Sequence, residues 1–256
     1  MKAIQNITLL GSGNVATQLG KALQKKGITI LQVFSRNPEN ATQLAHQIGA
    51  MAISNLQDLD PGADLYLICI KDDSIGELAG QFPFKDRLIA HTSGSIPMDV
   101  LSNNEHYGIF YPLQTFTKDQ SVDFLSIPFC IEANSPENEE KLMHLAGLLS
   151  EHVTKISSEQ RKAIHLAAVF ACNFSNNMYA IAEDILTQNG MSLDLLKPLI
   201  RETADKISTA SPQAVQTGPA KRGDLEIMKN HLQMLADSKE YQDIYRIISD
   251  NILKQN

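Results

Sequence analysis

The sequence predicts an α/β protein in two parts: an N-terminal doubly wound domain over residues 1–153 and an all-helical C-terminal dimerisation domain over residues 154–256. Three observations predict it. Short apolar runs alternate with helix-period segments through the first half, a glycine-rich turn follows the first of those runs, and strand-like runs cease near Ile156.

The apolar runs Ile7–Leu10, Ile28–Phe34, Leu65–Ile70, Leu88–Ala90, Gly108–Tyr111, Pro128–Ile131 and Val153–Ile156 read as strands. Amphipathic stretches such as Val15–Lys26, Pro38–Ile48 and Ile75–Gly80 lie between them. Strand–helix–strand alternation predicts a parallel sheet covered on both faces. Leu65–Ile70 is apolar throughout, which fits a central strand buried on both sides. Ser157-Ser158-Glu159-Gln160 reads as a capping box. The helical pattern then runs unbroken to Gly190, a C-terminal stop, or roughly 48 Å of helix. A helix that long exceeds what a small domain covers, so it predicts burial against a second subunit. Helices follow over Ser192–Ser208, Gly223–Asp237 and Ser238–Leu253.

Composition narrows the function. A hydrophobic share of 43% in 256 residues supports full cores, and a net charge of −7 argues against nucleic acid or a membrane surface as partner. No apolar run reaches the roughly 18 residues of a membrane span. Cys69, Cys130 and Cys172 share no metal or redox spacing, and each lies in an apolar run, as buried, inert thiols do. An odd count without pairing and an N-terminus that turns polar at once predict a cytoplasmic protein. No His/Cys/Asp/Glu cluster has metal-ligand spacing.

Gly11-Ser12-Gly13-Asn14-Val15-Ala16 fits G-x-G-x-x-A between a strand and a helix, the context that motif requires. Gly11 permits the tight turn, Gly13 lets a pyrophosphate approach the backbone, and Ala16 lets helix and strand pack closely. The helix N-terminus offers the phosphates free N–H groups and partial positive charge. The bland reading is a tight structural turn. Where an NAD site places Asp or Glu after the second strand, this chain has Ser35-Arg36-Asn37. A hydroxyl and a guanidinium bind a 2′-phosphate that a carboxylate would repel, so NADP is expected rather than NAD. Arg36 as a solvated loop residue is the alternative. Ile70 and Lys71, with Thr92 and Ser93, end later strands at the edge where doubly wound folds bind ligands, and are assigned to the cofactor.

Together with this loop and Ser35-Arg36-Asn37, four stretches carry a resemblance: His91-Thr92-Ser93-Gly94-Ser95, Tyr111-Pro112-Leu113-Gln114-Thr115-Phe116, His165–Asn173 and Gly218-Pro219-Ala220-Lys221-Arg222-Gly223-Asp224. Over nearly its whole length the chain resembles the superfamily of pyrroline-5-carboxylate reductase, prephenate dehydrogenase and 6-phosphogluconate dehydrogenase. More narrowly, it resembles a Rossmann-like NADP oxidoreductase family with a C-terminal domain of unknown function. The resemblance implies a Rossmann domain, a helical domain of the 6-phosphogluconate dehydrogenase C-terminal type, and NADP. It also implies that the His91–Ser95 loop lies beside the nicotinamide and that the long helix carries a catalytic residue.

On that basis His91, Ser95 and His165 are the catalytic candidates, and Gln114, Asn173 and Arg222 the substrate candidates. His165 and Asn176 fall within about 20° of each other on the helix, and Asn173 about 80° from His165. A histidine suits proton transfer coupled to hydride transfer; a satisfied core histidine is the bland alternative. Ser95 equally suits an N-cap for a helix at Pro97, and Pro112 suits a residue that only fixes a turn. Arg222 suits a substrate carboxylate or a solvated loop, and Asp224 suits the cap of the next helix. Tyr111 stands where prephenate dehydrogenases have His, and the Lys-x-x-x-Asn pair of hydroxyacid dehydrogenases is missing. The expected protein transfers hydride between NADPH and a small, anionic carbonyl or imine compound in a cleft between its domains, as a homodimer. A non-catalytic NADP-binding sensor or scaffold and a prephenate-type dehydrogenase are the rival readings.

Overall fold

The computed structural model describes residues 3–120 and 122–255. Eight strands form one sheet: β1 (Asn6–Leu10), β2 (Thr29–Phe34), β3 (Met51–Ile53), β4 (Leu65–Ile68), β5 (Leu88–His91), β6 (His106–Pro112), β7 (Phe129–Ala133) and β8 (Val153–Lys155). Their order is β3-β2-β1-β4-β5-β6-β7-β8. Strands β3 through β6 pair in parallel, and β7 runs antiparallel to β6. Among its described residues the connection from β6 to β7 has no crossover helix, only the short turn Phe124–Ser126, and the chain comes back reversed. The order turns between β1 and β4, and ligands of doubly wound sheets bind beyond the strand ends at such a point.

Helices α1 (Asn14–Lys25), α2 (Pro38–Ile48) and α4 (Pro136–Leu149) cover one face, and α3 (Ile75–Gln81) the other. Alternation assigns the side chains. Ile7, Leu9, Leu65 and Leu67 join the α1/α2/α4 core, while Leu10, Tyr66, Ile68 and Ile89 join the α3 core. Local signals start the helices: Asn37 accepts from Glu39 and Asn40 ahead of Pro38, and Ser135 accepts from Asn138 ahead of Pro136. The sequence reading passed over β3, three residues long and held by pairing with β2.

The chain divides after Val169 into two compact units. Strand β8 and helix α5 (Ser158–Ala168) belong to the first, and the predicted capping box of Ser157 and Gln160 opens α5. The expectation of one unbroken α-helix to Gly190 is corrected. Residues Val169–Phe174 are a π-helix, and α6 (Ser175–Gln188) follows it. A periodicity read at one angle per residue does not resolve a single widened turn.

In the second unit, Ser192–Ser208 resolves into a short turn at Leu193–Leu195 and α7 (Lys197–Lys206). Between Gly218 and Gly223, both at positive φ, lies the single turn α8 (Pro219–Arg222); α9 (Leu225–Met234) and α10 (Lys239–Lys254) complete the unit. Tyr241 of α10 donates to Asp184 of α6, and His231 of α9 pairs with Tyr245 of α10 at 2.9 Å. Large apolar side chains stay uncovered in the chain alone: Phe170 is 62%, Met234 77% and Ile247 70% exposed. Cys69 and Cys130 are buried, but Cys172 on the π-helix is exposed, against the expectation for all three thiols. Among the described residues no helix is long and apolar enough to cross a membrane, and no His/Cys/Asp/Glu group has a metal-binding arrangement.

Candidate functional site

At the turn in strand order a groove of about 1010 Å³ opens beyond β1, β2 and β4. Gly11 to Val15 line it, with Ser35, Arg36, Asn37, Ile70 and Lys71, so ten of the expected cofactor residues share one surface. The two glycines do different work. Gly11 has φ +137°, and a Cβ there would stand 2.3 Å from the Cys69 carbonyl oxygen. It lets the end of β1 pass against the end of β4. Gly13 would place a Cβ in open space with nothing within 4 Å. No side chain caps α1, and its first turn has no acidic residue. A phosphate is the complement of such an end. Arg36 is exposed, with one long hydrogen bond of 3.5 Å to Ser74, so its guanidinium is available. Open backbone at Gly13, an uncapped helix and a free guanidinium fit a phosphorylated dinucleotide. Asn37 lines the groove, yet its side-chain oxygen is committed to capping α2.

Next to the groove the end of β5, the end of β6 and α5 meet. The Tyr111 hydroxyl lies 3.1 Å from Nδ1 of His165, ring edge toward ring face. Gly94 lies against both: a Cβ there would come within 2.5 Å of His165 and 2.8 Å of Tyr111. Ser93 Oγ accepts from the N–H groups of Ser95 and Ile96, at 3.1 and 3.0 Å, which shapes this turn. Ser95 Oγ donates to Asp72, the residue after Lys71 of the groove, so the two regions adjoin. Ser95 is not an N-cap: the turn Met98–Leu101 has Pro97 at that position.

His91 is fully buried. Its Nδ1 accepts from Ser93 N–H at 3.2 Å, which leaves the proton of the neutral ring on Nε2. Burial, then the charge of Arg161, pull its pKa down to about 4. His91, expected as a catalytic residue, is a neutral imidazole without exposed surface that shapes the turn. Burial pushes the Tyr111 hydroxyl up to about 12, so it keeps its proton through the physiological range.

Thr92 and Ser93 do not reach the groove. The Thr92 hydroxyl donates to the Ile68 carbonyl at 3.1 Å, and that of Ser93 serves its own turn. Gln114 is exposed and accepts from the Thr115 N–H at 2.8 Å. Asn173 and Arg222 belong to the second unit. Arg222 pairs with Asp224 at 2.8 Å; Asp224 makes this ion pair instead of the expected cap bond. Sequence reasoning did not single out Asp72, Gly94 or Arg161, and it took Tyr111 only as a departure from a known pattern. One signal was available: Arg161 stands four residues before His165 and so shares its helix face.

Comparisons with known proteins agree with this geometry. Residues 6–92 match the family model described as NADP oxidoreductase, coenzyme F420-dependent, and residues 127–252 match a domain of unknown function, DUF2520. A Bacteroides fragilis protein provisionally named an NADP oxidoreductase is 45% identical over 98% of both chains, with a TM-score of 0.93. A reductive aminase from Aspergillus terreus, solved with NADPH and ethyl-5-oxohexanoate, aligns over 100% of this chain and 95% of its own at 15% identity, with a TM-score of 0.76. A 1-pyrroline-5-carboxylate reductase from Streptococcus pyogenes aligns over 97% and 98% at 16% identity, with a TM-score of 0.62. These last two likenesses are of fold. No protein of curated function matches the chain.

Proposed function

Because the chain belongs to the NADP oxidoreductase family that joins a domain of the coenzyme F420-dependent NADP oxidoreductase type to the DUF2520 domain, we propose that it reduces a small carbonyl or imine compound with NADPH, using His165 as proton donor. The observation that carries this reading is the Tyr111–His165 pair beside the groove. In the groove, the α1 N-terminus and Gly13 hold the pyrophosphate, and Ser35 and Arg36 the 2′-phosphate.

Bound NADPH supplies a hydride to the carbon of a C=O or C=N group, and the heteroatom must gain a proton. Protonated His165 gives that proton from Nε2 while its Nδ1–H donates to the Tyr111 oxygen. Once neutral, the ring keeps its proton on Nδ1 and goes on donating to the Tyr111 oxygen, while Nε2 is left to take up the next proton from solvent. A phenol both donates and accepts, and one held near 12 does not lose its own proton, so the ring keeps its orientation in both states. The expectation of an anionic substrate draws on Arg222, whose guanidinium is engaged by Asp224. The uncovered apolar side chains of the second unit favour a homodimer, and a monomer by light scattering at micromolar concentration would overturn it. A cytoplasmic location accords with thiols that form no disulfide.

The test is NADPH oxidation over a panel of 2-keto acids, simple ketones and cyclic imines, with His165→Asn alongside. Turnover falls roughly 10²–10⁴-fold, while NADPH affinity and melting temperature hold. A destabilised variant with normal turnover per folded molecule would make His165 a core residue. NADPH binding without turnover of any compound would favour a sensor or scaffold.

A further inference from the structure

Arg161 is the largest fully buried side chain of the first unit, with no exposed surface. A buried cation is costly unless neighbours satisfy it, so its partners show what it holds. Nη1 donates to the carbonyls of Ser93 and Ile96, both at 2.8 Å. Nη2 donates to Ser158 Oγ at 3.1 Å and lies 3.5 Å from the Glu132 carboxylate. That carboxylate also accepts from the N–H and the hydroxyl of Ser158, at 3.1 and 2.8 Å. One guanidinium therefore ties the turn after β5 to β7 and to the first turn of α5.

The two carbonyls bracket Gly94, the residue packed against the Tyr111–His165 pair. Arg161 and His165 are one helical turn apart on α5. The same side chain thus fixes the turn and the helix that the turn meets. We propose that Arg161 is a positioning residue: by holding the Ser93 and Ile96 carbonyls it sets the Gly94 turn against His165 and so keeps the His165–Tyr111 hydrogen bond in place. A lysine keeps the charge but not the planar fork, one nitrogen of which serves the two carbonyls while the other serves Ser158 and Glu132.

This role rests on the pair proposed above as the proton donor, but its test needs no substrate. In the full chain with 15N-labelled histidine, the Nδ1 resonance of His165 is assigned by its loss in His165→Asn. Its position without the bond is set by Tyr111→Phe. Arg161→Lys should move the resonance more than half-way to that position and leave NADPH affinity within about twofold. A folded Arg161→Lys with the resonance at its wild-type position would overturn the proposal. If Arg161→Lys does not fold, Glu132→Gln removes the partner charge and should move the resonance in the same direction; no movement there overturns it as well. Absence of turnover in the wild type would sink the proton-donor reading and leave this measurement intact.

Discussion

The groove and the Tyr111–His165 cluster adjoin, yet they are made in different ways. The groove is largely backbone: two glycines, an uncapped helix end, and side chains within a few residues of a strand end. The cluster is side chains brought together over distance. Tyr111 and His165 are 54 residues apart, and Arg161 reaches across 68 residues to Ser93. The groove is open, and Arg36 in it faces water. In the cluster burial governs the chemistry, holding His91 neutral and Tyr111 protonated. The roles proposed for them fit this difference: a surface that receives a large anion needs exposed donors, whereas a site that moves one proton needs fixed geometry and little water.

Substitutions separate the two regions, beginning with the largest expected effect. Gly11→Ala forces a Cβ against the Cys69 carbonyl at a φ that alanine avoids, and should cost about 4 kcal/mol or more of stability. Gly13→Ala meets nothing in the protein alone. Its stability should stay within about 0.5 kcal/mol, while NADPH affinity falls because the methyl enters the groove. Chemical denaturation and NADPH titration of both variants check this, and equal instability would erase the distinction between the two glycines.

His91 gives the next effect, within the cluster. Its pKa of about 4 in the fold lies below the ordinary 6.5, so between those values the unfolded chain takes the proton and the folded chain does not. Its contribution is complete above pH 6.5 and declines as the pH falls toward 4, by about 3 kcal/mol. Replacement by Asn should flatten the stability curve in that window, as urea melts at pH 4, 5, 6 and 7 would show. An unchanged slope would mean that His91 is not the neutral buried group described.

Within the groove, Arg36→Ala should weaken NADPH roughly 10- to 100-fold, the worth of a charged hydrogen bond to phosphate, and leave NADH nearly unaltered. Equal losses would remove Arg36 from the 2′-phosphate. The smallest effect belongs to its neighbour. Asn37→Ala removes the α2 cap and should lower stability by about 1 kcal/mol with NADPH affinity retained. Loss of affinity without loss of stability would reverse the assignments of the two residues.

Reading the chain alone was enough for the alternating fold, the glycine-rich turn that lines the groove and the capping box of α5, because each is a local pattern: a period, a glycine spacing, a cap. It also picked out His165, through the resemblance to enzymes that carry a catalytic residue on the same helix. The widened turn at Val169–Phe174 and the three residues of β3 escaped it, since neither leaves a periodic trace as long as a reading window. The remainder depended on which segments the sheet order makes neighbours. The sheet puts the ends of β5 and β6 side by side, so Gly94 meets Tyr111, and α5 brings His165 and Arg161 onto the same turn. That placement also removed His91 from water, because burial is a property of the packed chain and not of the order of its residues.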